Sequence, residues 1–157
     1  MTHPEERLAE LGLSVPEVAK PVAVYVPAVR SGDHVFTSGQ LPMRSGELMM
    51  TGKVGGDVSV EDAVACAQQC GLNAIAAVKA QVGDLAQVKR VVKVVCFVAS
   101  TPDFTGQPQV ANGVSELLGS VFGDAGVHAR SAVGVPVLPL DAPVEVEIIV
   151  EVAAEAD

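Results

Sequence analysis

The stretch VEVEIIVEV, residues 144–152, alternates with a period of two. Glu145, Glu147 and Glu151 fall on one face of the strand this predicts, and Val144, Val146, Ile148 and Val150 on the other. Such a strand needs a sheet beside it and an apolar layer beneath it, and the rest of the chain supplies both. VKRVVKVVCFVAS, 88–100, is a long β-branched strand, and residues 130–137 form another, joined to 144–153 around the turn LPLDAP. A hairpin there would bring Glu145 close to the strand that begins at Arg130. Residues 59–82 read as a helix. Ser59 with Asp62 three residues on resembles a capping box, the body is rich in Ala, Val, Leu and Ile, and Gly83 stops it. Its apolar positions are dense all round, with polar relief at Gln68, Gln69, Asn73 and Lys79. PQVANGVSELLGSVFG, 108–123, is a second helix.

Upstream, VAVYVPAV and HVFTSG read as two strands separated by RSGD, a hairpin turn carrying Gly32. Residues 41–58 are expected to form an irregular glycine-bearing loop. Residues 4–12 suggest a short surface helix with an acidic first turn, so that 1–20 form a peripheral extension. The order β-β-α-β-α-β-β places the chain in the α+β class: a mostly antiparallel sheet with two helices packed on one face. No internal repeat or linker divides it, so residues 1–157 are expected to be a single domain.

With 49% hydrophobic and 18% charged residues the chain is well able to build a core, and its apolar excess suggests a subunit interface. A net charge of −9 opposes a phosphate-tracking surface, and 3% aromatics with no Trp removes the usual stacking platforms, so nucleic acid is not the expected partner. The start MTHPEERLAELGL lacks a basic segment followed by an apolar one, and no run approaches the roughly 18 apolar residues of a membrane span. The expectation is a cytoplasmic protein without membrane attachment. Cys66, Cys70 and Cys96 are an odd count without C-x-x-C and read as buried thiols; a redox role for Cys66 and Cys70 would require an exposed, acidified thiol. His3, His34 and His128 lack metal-ligand spacing, and neither a phosphate loop nor a nucleophile elbow occurs, so no metal or cofactor is expected.

Arg130, in HARSAVGVPVLPL (128–140), is the last cation of the chain, followed by Asp141, Glu145, Glu147, Glu151, Glu155 and Asp157. One reading is a surface ion pair, worth about 0–1 kcal/mol. The other is a planar bidentate clamp for a substrate carboxylate. Glu147 and Glu151 fit a solvated outer face, whereas a partly buried Glu145 near a guanidinium can stay ionised and orient a water. Tyr25, the sole tyrosine, is either a core residue with a polar handle or a hydrogen-bond donor to a ligand. TSGQ, 37–40, offers a hydroxyl, a flexible backbone and an amide together.

Taken in order, Tyr25, TSGQLP at 37–42, Asn112, ARSAVGV at 129–135, LP at 138–139 and VEVE at 144–147 resemble the YjgF/RidA/L-PSP family, over about 120 residues. The extra N-terminal helix and the loop near 50–58 suggest a longer branch. The resemblance implies a chorismate-mutase-like (YjgF-like) subunit assembled as a homotrimer with clefts between neighbours. It implies cofactor-independent hydrolysis of 2-imino or enamino acids, of the 2-iminopropanoate and 2-iminobutanoate type, to 2-oxo acids and ammonia. Arg130 would hold the carboxylate and Glu145 would position the water, with Tyr25, Ser38, Gly39 and Asn112 lining the substrate site. A non-catalytic carboxylate binder, or the endoribonuclease activity attributed to some relatives, is the alternative. Many active members carry a cysteine two residues after the arginine, where this chain has Ala132. His128 stands where proline or a small residue is commoner; its imidazole either tunes the clamp or is an exposed bystander.

Overall fold

The computed structural model describes residues 2–20 and 24–156. Helix α1 (Pro4–Glu10) precedes the β1 (Ala28–Ser31) and β2 (His34–Thr37) hairpin, and a second small hairpin pairs β3 (Met43–Arg44) with β4 (Glu47–Leu48). Then follow α2 (Val60–Val82), β5 (Val88–Ala99), α3 (Gln107–Phe122), β6 (Ala129–Val135) and β7 (Val144–Val152). The main sheet has five strands in the order β1-β2-β7-β5-β6, antiparallel except where β6 runs parallel to β5. Helices α2 and α3 cover one face. This is the expected α+β layering, a mostly antiparallel sheet with helices on one face.

The ends of α2 fall where the sequence places them, although only the Ser59 half of the expected capping box is formed. Ser59 accepts a hydrogen bond from the Asp62 amide at 3.1 Å, and Gly83, at φ 81°, closes the helix by donating its amide to the Lys79 carbonyl. Its middle is covered all round because α3 crosses close by: a Cβ on Gly113 would overlap the Val64 carbonyl oxygen, so the two backbones touch there. Val94, Cys96 and Val98 of β5 and Val144, Val146, Ile148 and Val150 of β7 meet the helices from the sheet. Among the described residues no helix packs on the opposite face, and Val29, Phe36 and Val133 are exposed there while Val95, Phe97 and Ile149 are half-covered.

Five expectations need correction. The strand predicted in VAVYVPAV begins only at Ala28; Tyr25 lies in a bend before it, and residues 22–23 lie outside the described residues. Gln69 and Asn73 do not give α2 a wetted face but are buried, because each finds a partner: Gln69 Nε2 donates to Asn73 Oδ1, and Asn73 Nδ2 donates to the carbonyls of Leu41 and Met43, both at 3.0 Å. The loop at 41–58 is thereby stapled to the helix, and it carries the β3–β4 hairpin and the fully buried Val54. The N-terminal helix is not merely peripheral, since Leu8 is fully buried in the core and α1 packs on α3. Lastly, β6 and β7 form no hairpin. The Leu138–Ala142 connection passes over the end of the sheet, and β5 separates the two strands.

Candidate functional site

Arg130 lies second in β6, in register with the buried Val94, which turns its side chain to the helix side of the sheet edge. There α3 presents Asn112 and Ser115, one turn apart on one face. Arg130 Nη1 donates to Asn112 Oδ1 at 2.8 Å and to Ser115 Oγ at 3.2 Å. Both hydrogens of Nη1 are thus engaged by neutral oxygens, and the Nε–Nη2 edge remains as the fork that suits a carboxylate. The surface ion pair with an acidic strand is not formed. Ala132, two residues on, is in register with Cys96 and packs against the core, so it presents no polar atom.

The other candidate residues gather at the far end of β7. Gln40 bridges to Val146, and this brings Gly39 against the side chain of Glu145. A Cβ on Gly39 would overlap Glu145 Oε1, so the glycine is what lets the carboxylate lie there. Burial, with the neighbouring Glu147 charge second, raises the Glu145 carboxyl above its ordinary value of 4.5. Ser38 Oγ donates to the Val26 carbonyl at 2.6 Å, tying the segment that carries Tyr25 to the end of β2. Tyr25, Gly39 and Glu145 share a cleft of about 1130 Å³ walled by residues of the 12–20 segment, Leu41, Leu72 and Leu140. Arg44 also lines it, with Nε 3.5 Å from Gln69 Oε1; sequence patterning gave no hint of this residue, because a lone arginine in a glycine-bearing loop carries no periodicity.

The structure therefore places the candidates in two groups and does not join them within one chain. Arg130 pairs with Val94 and Val94 with Ile148, whereas Glu145 pairs with Phe97. Two strand spacings across and three residues along separate the two backbones by roughly 14 Å. The side chains also leave opposite faces of the sheet. Arg130 with Asn112 forms one group; Tyr25, Gly39 and Glu145 form the other, with Ser38 supporting it. Among the described residues no three His, Cys, Asp or Glu side chains cluster as metal ligands would, and no helix is long and apolar enough to cross a membrane. All three thiols are buried and pushed upward by burial, Cys66 to about 11 and Cys96 to about 12, so the acidified thiol that the redox reading required is not formed.

The fold is a one-sided α+β sandwich with a guanidinium at its parallel edge and a glycine-seated glutamate at the end of β7. The chain belongs to the family described as "YjgF/chorismate mutase-like, putative endoribonuclease", which it matches over residues 5–152. It is 47% identical over 145 residues to Protein TCP17 of Trypanosoma cruzi, covering 92% of this chain and 91% of that one. It is 36% identical over 140 residues to a 2-iminobutanoate/2-iminopropanoate deaminase of Dermatophagoides farinae, covering 88% and 93%. Among solved structures it is similar to Atu1372 of Agrobacterium tumefaciens, a protein of unknown function, with a TM-score of 0.90 and 47% identity over 96% of this chain and 93% of that one.

Proposed function

We propose that this chain hydrolyses 2-imino acids and their enamine tautomers to 2-oxo acids and ammonia, in a site completed between neighbouring copies of a homotrimer. The observation that carries the reading is Glu145: a half-buried carboxylate seated on a glycine within a cleft, where burial brings it closer to the working range of a general base. The named deaminase relative supports the same chemistry.

The substrate carboxylate takes the Nε–Nη2 edge of Arg130, and its C=N bond then lies over Glu145 of the adjacent copy. Glu145 accepts a proton from water as the water oxygen bonds to C2 and the C=N π pair moves to nitrogen. It returns that proton to nitrogen. The carboxylate then takes the proton of the new hydroxyl and passes it to the amino nitrogen, so that ammonia departs with the C–N pair, C=O forms and Glu145 is again ionised. No electrons are gained or lost overall, and an already electrophilic imine needs chiefly orientation and one placed water. The uncovered apolar sheet face, with Val29, Phe36 and Val133 exposed, suits burial between copies and so supports the assembly.

The test follows pyruvate release from 2-aminoacrylate generated in situ. Wild type should exceed the spontaneous rate, and Arg130→Ala and Glu145→Gln should fall toward it. Equal rates for all three would sink the proposal. Ala132, which offers no polar atom, favours a second reading of binding without turnover, which predicts thermal stabilisation by 2-oxobutanoate but no catalysis. The charge of −9 weighs against the endoribonuclease alternative.

A further inference from the structure

Beyond the clamp itself, three groups stand behind Arg130 in a single file. Arg130 Nη1 is 3.2 Å from Ser115 Oγ, Ser115 Oγ is 2.8 Å from His128 Nε2, and His128 Nδ1 is 2.6 Å from the Gly126 carbonyl oxygen. A carbonyl oxygen can only accept, so Nδ1 carries a hydrogen. An arginine can only donate, so Ser115 must accept from it. In the neutral imidazole Nε2 is then left as an acceptor, and the Ser115 hydroxyl has one place to send its own hydrogen. Every donor in the chain points the same way, from Arg130 to Ser115 to His128 to Gly126.

We infer that Ser115 and His128 are positioning residues for the Arg130 clamp: a one-way hydrogen-bond relay, anchored on the Gly126 carbonyl, that fixes the guanidinium plane and keeps its Nε–Nη2 edge turned to the substrate carboxylate. This inference rests on the clamp reading of Arg130. The anchor is built in. A Cβ on Gly126 would overlap the Leu118 carbonyl oxygen, so only glycine lets this turn lie on α3 and present its carbonyl beneath His128. Ser115 and Asn112 each take one hydrogen of the same Nη1, and two restraints on one nitrogen hold the plane better than either alone. Aligned donors also polarise one another, so the file holds more firmly than its members would separately.

The reversed polarity would be costly. With a hydrogen on Nε2, the imidazole and the guanidinium would both aim donors at the Ser115 oxygen, and the hydroxyl hydrogen would lose its partner. His128 is therefore not an exposed bystander: both ring nitrogens are engaged, and it bridges Ser115 to the Gly126 carbonyl.

Two measurements test this. In the intact wild-type protein, 15N spectra of the ring, assigned by comparison with His128→Gln, should show the neutral imidazole protonated on Nδ1; protonation on Nε2 would overturn the relay. Affinity for 2-oxobutanoate, read by calorimetry on folded variants, is the second. Ser115→Ala and His128→Phe should each weaken binding about 3- to 10-fold, with the double variant no weaker than the worse single one. His128→Gln, whose Oε1 still accepts from Ser115, should recover most of the loss. Wild-type affinity in both single variants, or a Gln variant as weak as the Phe variant, would overturn the relay. Arg130→Ala separates this from the clamp itself: if Arg130→Ala abolishes binding while the Ser115 and His128 variants bind normally, only the relay fails, and if Arg130→Ala binds normally, both fail.

Discussion

Substituting Gly39 by alanine isolates the proposed chemistry from the fold. The added Cβ would overlap Glu145 Oε1 and lie 2.8 Å from its Cδ and 3.1 Å from its Cγ, so the carboxylate must swing aside. Gly39 is not in the left-handed region, so alanine brings no backbone strain, and the group that yields is the far end of a flexible side chain. The cost to stability is accordingly small, within about 1 kcal/mol and offset in part by the lower entropy of the unfolded chain. The cost to catalysis is not. A displacement of roughly 1 Å of a reacting group lowers rate by about 100-fold. Pyruvate release from 2-aminoacrylate, corrected for spontaneous hydrolysis, should fall by that order in Gly39→Ala, while its thermal midpoint stays within a few degrees of wild type. Activity within threefold of wild type would refute the placement of Glu145 as the water-positioning group.

Other outcomes follow from the same coordinates. Leu8→Ala should cost about 2–4 kcal/mol in urea unfolding, because a fully buried leucine is lost from the α1–α3 contact, whereas a merely peripheral helix would cost almost nothing. Glu145 has its carboxyl raised by burial and then by Glu147, so the acid limb of kcat/KM should lie above the ordinary value of 4.5, and Glu147→Gln should move it down. The linkage runs the same way. A raised folded-state value means that the ionised form is disfavoured on folding, so its penalty is present at neutral pH, fades as pH falls through that value, and is relieved at neutral pH in Glu145→Gln. The three thiols, buried and held upward, should resist alkylation at pH 8 in the native protein and react fully in urea; a single fast thiol would contradict their burial.

What the sequence made legible was local. Ser59 as a helix cap, Gly83 as a helix stop and the alternation of 144–152 each act through neighbours a few residues away and read correctly, though the Asp62 half of the capping box does not form. The family motif drew attention to Arg130 and Glu145, whose proposed roles the assays above address. Non-local pairing did not read through. Nothing in LPLDAP shows that β6 turns parallel onto β5 instead of returning beside β7, because that choice is made by the helices beneath and not by the turn. Gln69 and Asn73 look like surface residues until the carbonyls of Leu41 and Met43 arrive to satisfy Asn73. The same applies to the segment that carries Tyr25, which Ser38, just past the end of β2, ties down through the Val26 carbonyl. One consequence is direct: Arg130 and Glu145, which a β6–β7 hairpin would have made neighbours, lie apart within one chain.

That separation gives the central test. Arg130→Ala and Glu145→Gln, each inactive alone, should be unfolded together in equal amounts, refolded as mixed assemblies, and assayed for 2-aminoacrylate hydrolysis. If each site takes its arginine from one copy and its glutamate from the next, about a quarter of the sites regain both groups and about a quarter of wild-type activity returns. Activity that stays at the level of the separate variants would contradict the shared site.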